Sequence, residues 1–225
     1  GGKAAKKNPY EGKWIAVVAE ALGTQMPIEE CFEGDVNLEI EHSGKVKFTI
    51  DNDKGTGKLA KKDEKTVLKI EGEEMSVTLD GDTLTLDDLL GQGVNIIFGR
   101  EGTDATNPEN YLSEDELAVI GEWYSENVKE LLDEEAQTTL DGVDNINDAM
   151  RLKFAKDRTV QVIYKGAELG TYPWSALYGY YTIEMDDEAP ENVLITMEED
   201  GSLSVQYSDE DDYLTFKCVK SAGEE

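Results

Sequence analysis

Positive charge is scarce in this chain: its 225 residues carry 21 Lys and Arg against 50 Asp and Glu, a formal net charge of −29. Nucleic-acid binding is driven by cationic side chains that displace counterions from phosphates, so this balance speaks against a nucleic-acid partner. Long apolar runs are also missing. With a hydrophobic fraction of 39%, no window approaches the roughly 20 uninterrupted apolar residues of a membrane-spanning helix, so a membrane would be met only through a lipid anchor. Cysteine occurs twice, as Cys31 and Cys218. That excludes a disulfide-dense scaffold and a four-cysteine zinc site. Cys218 falls in phase with Leu214 and Phe216 on the apolar side of the last strand, and the pair reads as two separate thiols.

Catalytic raw material is thin. The single histidine, His42, rules out a multi-histidine metal site, and its place at a strand end beside Ser43-Gly44 marks it as a rim or turn residue and not the base of a triad. No Gly-x-Ser-x-Gly elbow, phosphate loop or dinucleotide fingerprint occurs. A glycosidase needs two carboxylates held at about 5 to 9 Å, and abundance of acid is not placement. Asp51-Asn52-Asp53-Lys54-Gly55 opens like a calcium loop, but its Gly comes one position early and Lys62 stands where a bidentate Glu is required, so it reads as a β-turn. Asp186-Asp187-Glu188 and Asp209-Glu210-Asp211-Asp212 read as solvated loops. No catalytic residue, no metal site and no cofactor is expected.

What the chain does have is period-two alternation bounded by turn residues, the mark of half-buried strands. In the first half Val36, Leu38 and Ile40 share a face; Ser43-Gly44 turns the chain; Val46, Phe48 and Ile50 return. Leu68 and Ile70, then Met75, Val77 and Leu79, then Leu84 and Leu86 after Asp80-Gly81, and finally Val94, Ile96 and Phe98 continue an antiparallel meander. The second half repeats the order from Met150, Leu152 and Phe154 to Leu214 and Phe216, with Asp200-Gly201 in the place of Asp80-Gly81. Gly12-Lys13-Trp14 matches Gly121-Glu122-Trp123, Val36 matches Met150, and Phe98 matches Phe216. Slowly growing offsets are what loop insertions leave in a duplicated domain.

Charge divides the copies. Up to Thr103 there are 13 basic and 20 acidic residues; beyond it, 8 and 30. The Gly/Asp/Thr/Asn/Pro-rich stretch 99–108 reads as the loop between them. The expected organisation is a flexible tether over 1–8, a first domain over 9–102 and a second over 103–225. Ser113-x-x-Glu116 has the form of a capping box, which starts a short helix before the second copy. Helical spacing continues weakly through Tyr124, Val128 and Leu131, so over 123–134 a longer helix competes with a strand that begins at Trp123.

Gly-x-Trp opening an antiparallel meander, with a basic residue in its last strand, resembles the lipocalin pattern. That resemblance implies an all-β chain of two tandem, antiparallel, calycin-type β-barrels with a short helix before the second. It also implies roles: Gly12, Trp14 and Arg100 close the first barrel, Arg100 packing over Trp14, and Gly121 and Trp123 close the second, with Lys217 or Lys220 as the cation. The Gly/Ala/Lys start resembles the segment that follows the lipidated cysteine of bacterial lipoproteins, which implies an exported, lipid-anchored protein at the bacterial cell surface.

Tyr172, Trp174, Tyr178, Tyr180 and Tyr181 place five rings within ten residues. Such amphipathic rings floor a pocket or anchor a partner, or else fill a core. The expected function is a non-enzymatic binding module of the cell envelope that holds a small apolar or amphipathic ligand in a barrel. The alternative is a structural or protein–protein interaction module whose barrels are filled by their own side chains and whose partner is an envelope protein.

Overall fold

A computed structural model describes residues 7–223, so most of the expected tether lies outside the described residues. The chain forms two compact units, 1–112 and 113–225. The first comprises β1 (Gly12–Ala21), β2 (Thr24–Pro27), α1 (Ile28–Cys31), β3 (Val36–Ile40), β4 (Lys45–Ile50), β5 (Asp53–Lys62), β6 (Lys65–Ile70), β7 (Glu73–Asp80), β8 (Thr83–Leu86) and β9 (Val94–Arg100). Antiparallel β1 and β9 close eight strands into a barrel, with β2 added along the far half of β1. The second unit begins with α2 (Glu114–Val119) and runs through β10 (Gly121–Glu130), β11 (Met150–Phe154), β12 (Thr159–Tyr164), β13 (Ala167–Leu177), β14 (Tyr180–Ile183), β15 (Asn192–Met197), β16 (Leu203–Ser208) and β17 (Tyr213–Lys220). Its eight strands close in chain order. Closure satisfies both edges of the meander, which would otherwise expose unpaired backbone groups.

Alternation decides what each strand buries. Leu38, Leu68, Met75, Leu84 and Phe98 point into the first barrel, and Leu152, Val162, Ile195, Val205 and Phe216 into the second. Tight hairpins hold the register. At Asp51-Asn52 and Asp63-Glu64 both turn residues have positive φ, the geometry that matches the right-handed twist of the flanking strands. At Asp80-Gly81 the expected turn is shifted: Asp80 pairs with Thr83, and the loop is Gly81-Asp82 with only Gly81 at positive φ.

The duplication extends to a defect. Both opening strands carry a bulge three residues beyond the Trp, between Ala16 and Val18 and between Ser125 and Asn127. Trp14 stands opposite Leu38 and Arg100, and Trp123 opposite Leu152 and Lys220. Val36 therefore does correspond to Met150. The closing strands correct the sequence match by one pleat, since Phe98 is the counterpart of Cys218 and Ile96 that of Phe216. Over 123–134 the strand prevails as far as Glu130, because Trp123 and Val128 need to reach the barrel interior.

The stretch 103–112, assigned by composition to the second domain, belongs to the first unit. Its 3₁₀ turns, Asp104–Thr106 and Pro108–Tyr111, lie on the outside of β1 and β9. The β1 bulge turns Val17 outward, and Val17, Val18 and Ile97 pack with Tyr111. A Cβ on Gly99 would run into the backbone of Ala105, so only glycine admits the turn so close to the strand.

Candidate functional site

The residues expected to close the barrels do meet. In the first unit Trp14 is fully buried, its indole N–H donates to the Tyr10 carbonyl at 2.8 Å, and the Arg100 guanidinium lies 4.3 Å from the ring centroid. Arg100 also donates to the carbonyls of Glu11 (2.7 Å) and Pro9 (2.9 Å) and to Asp82 Oδ1 (3.0 Å). Gly12 has φ +135°, and a Cβ there would sit 2.9 Å from Arg100 Nη1. The glycine of Gly-x-Trp thus makes room for the cation that covers the tryptophan.

The second unit repeats this with lysine. The Trp123 indole donates to the Val119 carbonyl at 2.8 Å, and Lys220 Nζ stands 5.7 Å from the ring centroid. Gly121 has φ +128°, and a Cβ there would meet Lys220 Cε at 2.8 Å. Lys217 points elsewhere, to Glu126 and Asp200. Over this end lies α2. Its capping box is formed as expected, and Glu116 also makes a buried ion pair with Arg158. Tyr181 pins the same helix by donating to the Asp115 carbonyl at 2.7 Å.

Among the described residues, the inward side chains around the middle of each barrel are dry. At Leu152, Val160, Val162, Ile195, Leu203, Val205, Phe216 and Cys218, no more than 2% of the surface is open to water. Burial alone pushes the Cys218 thiol up. In the first barrel Leu38, Val46, Leu68, Met75, Leu84, Leu86, Ile96 and Phe98 are equally dry, and the Phe48 ring fills the space that a side chain at Gly55 would need. Open clefts of about 610 Å³ beside Lys129, Asp200, Ser204 and Lys217 and of about 620 Å³ beside Tyr10, His42, Leu59 and Thr66 lie on the second and first units, the latter against Tyr10 and Leu59 where they pack on the core of the first barrel.

The five-ring cluster is divided by the pleat. Trp174 and Tyr181 point inward, each 2% exposed, and pack against Phe154 at 5.3 and 6.2 Å. They belong to the core and to the support of α2, a correction to their expected role as contact residues. Tyr172 is half-buried and bonded through its hydroxyl to the Leu169 carbonyl. Tyr178 and Tyr180 face outward, 73% and 62% exposed. Sequence reasoning missed their exposed neighbours Leu177 and Leu194. Their alternation with inward Trp174, Tyr181, Val193 and Ile195 was the available signal.

Acidic residues at the other end of the second barrel are engaged among themselves. Tyr164 and Tyr207 stack at 3.8 Å, and their hydroxyls donate to Asp212 and Asp209. Asp209 Oδ1 accepts the amides of Asp211 and Asp212, and Lys165 reaches Asp212 at 3.2 Å. Burial first, then the neighbouring aspartates, push both tyrosines far above the ordinary phenol range. Among the described residues no three His, Cys, Asp or Glu side chains are grouped to hold a metal ion. At Asp51-Asn52 the side-chain oxygens accept the amides of Gly34 and Asp35. His42 is exposed in its turn, 3.1 Å from Glu11. Cys31 is exposed and Cys218 buried, both as free thiols.

No protein-family model and no curated protein matches this chain. Among solved structures, a protein of unknown function of the DUF3598 family from Nostoc punctiforme aligns over 93% of this chain and 94% of its own, with 12% identity and a TM-score of 0.27.

Proposed function

We propose that the chain is a non-enzymatic protein–protein interaction module built from two lipocalin-like barrels, exported and tethered at the bacterial envelope, which meets its partner on its outer surface. The carrying observation is the dryness of both interiors. A carrier encloses most of its ligand in a cavity of about 300 Å³ or more, and inward side chains with almost no accessible surface leave no such space. The lipocalin-like identity rests on the paired Gly-x-Trp openings with a cation over each indole, and the tether on the Gly/Ala/Lys composition of the first residues. The small-ligand carrier is the weaker reading, since it needs these cores to open.

Native mass spectrometry before and after exposure to a bacterial lipid extract tests the choice. The expected spectrum is unchanged. A retained mass, lost on unfolding, overturns the filled-barrel reading in favour of a carrier. Metabolic labelling of the full gene product with an alkyne palmitate analogue tests the anchor, which fails if no label enters.

A further inference from the structure

The second unit, residues 113–225, holds 28 acidic and 8 basic residues, yet one side of its barrel carries no charge. Outward positions along 171–177 of β13, 180–182 of β14, 192–196 of β15 and 204–208 of β16 are all uncharged. Leu177 pairs with Tyr180 at the Tyr178-Gly179 hairpin, Tyr180 with Thr196, and Thr182 with Leu194 one rung further in, so Tyr180 and Leu194 are diagonal neighbours on one surface. Leu177, Tyr180 and Leu194 are about half exposed or more. Acid gathers at both margins: five carboxylates within 184–191 and four within 209–212 at one end of the strands, three within 198–200 at the other, with no basic residue in any of these loops.

The counterpart strands of the first barrel show what the same scaffold does when that face is left to solvent. There β5, β6 and β7 present Lys58, Lys62, Lys65, Lys69 and Glu74 at the equivalent positions, with Glu74 2.8 Å from Lys62 and 3.5 Å from Lys69; Lys54 matches Glu168, which lies outside this face. Loss of every charge from the equivalent face of a unit of net charge −20 is therefore not a property of the fold. A charge-poor centre with tyrosine and leucine, ringed by polar residues, is the composition of a protein contact.

We propose that this outer face of β13–β16 docks a protein surface with an apolar or aromatic centre rimmed by Lys and Arg. The inference rests on the interaction-module reading above and names its surface and the chemistry of its partner. Charge complementarity selects the occupant: the apolar centre buries Leu177, Tyr180 and Leu194 while the cationic rim meets the acidic margins. A second copy of the chain would bring like margins together, and a neutral glycan would leave them unanswered.

The test selects binders from a random displayed-peptide library on the intact chain. Enriched peptides are expected to have an aromatic or aliphatic centre flanked by Lys or Arg, and their affinity to fall about tenfold or more between low and high salt. The outward double variant Tyr180→Glu/Leu194→Glu should weaken them by about tenfold or more, with an unchanged far-UV spectrum. Should that variant misfold, the loop variant Asp187→Asn/Glu188→Gln/Glu199→Gln takes its place, with the same salt-sensitive binding expected to weaken. No enrichment, or peptides without basic residues, overturns the proposal. So does binding to a neutral glycan array, or a concentration-dependent dimer, that Tyr180→Glu/Leu194→Glu abolishes. Basic peptides that bind the folded face variant equally well overturn this surface while sparing the interaction-module reading. A lipid mass retained in native spectra would overturn that reading instead.

Discussion

The two closed ends solve one problem with different parts. Each must cover a buried tryptophan whose indole N–H is already bonded to a carbonyl four residues earlier. In the first barrel one cation does both jobs: Arg100 lies over Trp14 and, through donors in a rigid fork, ties down the carbonyls of Pro9 and Glu11, while Asn8 and Tyr10 hold the same segment through the Glu41 and His42 carbonyls and the Thr66 hydroxyl. In the second the task is divided. Lys220 covers Trp123 from farther away, while the lid, α2, is held by Glu116 with Arg158 and by the Tyr181 hydroxyl. An ammonium has no planar fork with which to do both. The loss of guanidinium geometry at the closing position goes together with a covering helix and a buried ion pair, neither of which is found at the closed end of the first barrel among the described residues.

The division predicts where each barrel breaks. Glu116→Ala should have the largest effect, because it strands the buried Arg158 guanidinium, at a cost of about 3 to 5 kcal/mol. Hydrogen exchange should report it as faster opening across β10–β17 with β1–β9 unchanged. Joint replacement, Glu116→Leu with Arg158→Met, should return most of the loss. If Glu116→Ala is silent, α2 is not held by the pair.

Arg100→Ala comes next and should act on the other unit. It removes a cation–π contact and charge-assisted hydrogen bonds from a group still partly open to water, about 2 to 3 kcal/mol together. Protection should fall first at β1 and β9. Gly12→Ala follows at about 2 kcal/mol, since the added methyl group meets a guanidinium that its own bonds hold in place. The same change at Gly121 should cost less, because the Lys220 methylene it meets belongs to a flexible chain. Equal losses at the two glycines would mean that φ alone requires them.

Closure was legible in the sequence because it rests on short, repeated signals: alternation for the strands, Gly-x-Trp for the opening, Ser113-x-x-Glu116 for the helix cap. The α2 lid was not. Arg158 lies in the turn after β11 and Glu116 in a helix, and no periodicity links residues whose meeting depends on closing the barrel. Nor does an aromatic cluster reveal its own pleat: Trp174 and Tyr181 turned inward and Tyr178 and Tyr180 outward once the hairpin register was set. The unit boundary slipped from 102 to 112 because a Gly/Asn/Pro-rich linker looks the same whether it spans two bodies or is packed on one, and it is Val17 and Tyr111 that pack it. The uncharged face was written in the sequence, as 169–183, 192–197 and 201–208 without a charge, but as separate stretches it means little until the strands lie side by side.

Alkali should separate the units by a smaller margin. Burial, and after it the Asp115 carboxylate, push the Tyr181 phenol from its ordinary value near 10 up to about 12. The folded unit therefore holds this proton more tightly than the unfolded chain does. Its contribution is complete below about pH 10 and is lost as pH rises through about 12. Tyr164 and Tyr207 are raised in the same direction. Between those pH values the second unit should lose stability faster than the first. Tyr181→Phe should cost about 1 kcal/mol at neutral pH, the value of one hydrogen bond, and flatten part of the alkaline slope.

The smallest effect sharpens the comparison most. If the closing lysine is merely a weaker version of Arg100, then Lys220→Arg should stabilise the second barrel by at most about 1 kcal/mol, through a nearer approach to the Trp123 face. Gly121 already leaves the space, as Gly12 does for Arg100. The gain should persist in Glu116→Ala, since the cover over Trp123 and the pair that holds α2 use different atoms, and distant independent contacts add. A gain that vanishes in that background would mean that Lys220 and the Glu116–Arg158 pair hold one lid together, and the division of labour between them would be wrong.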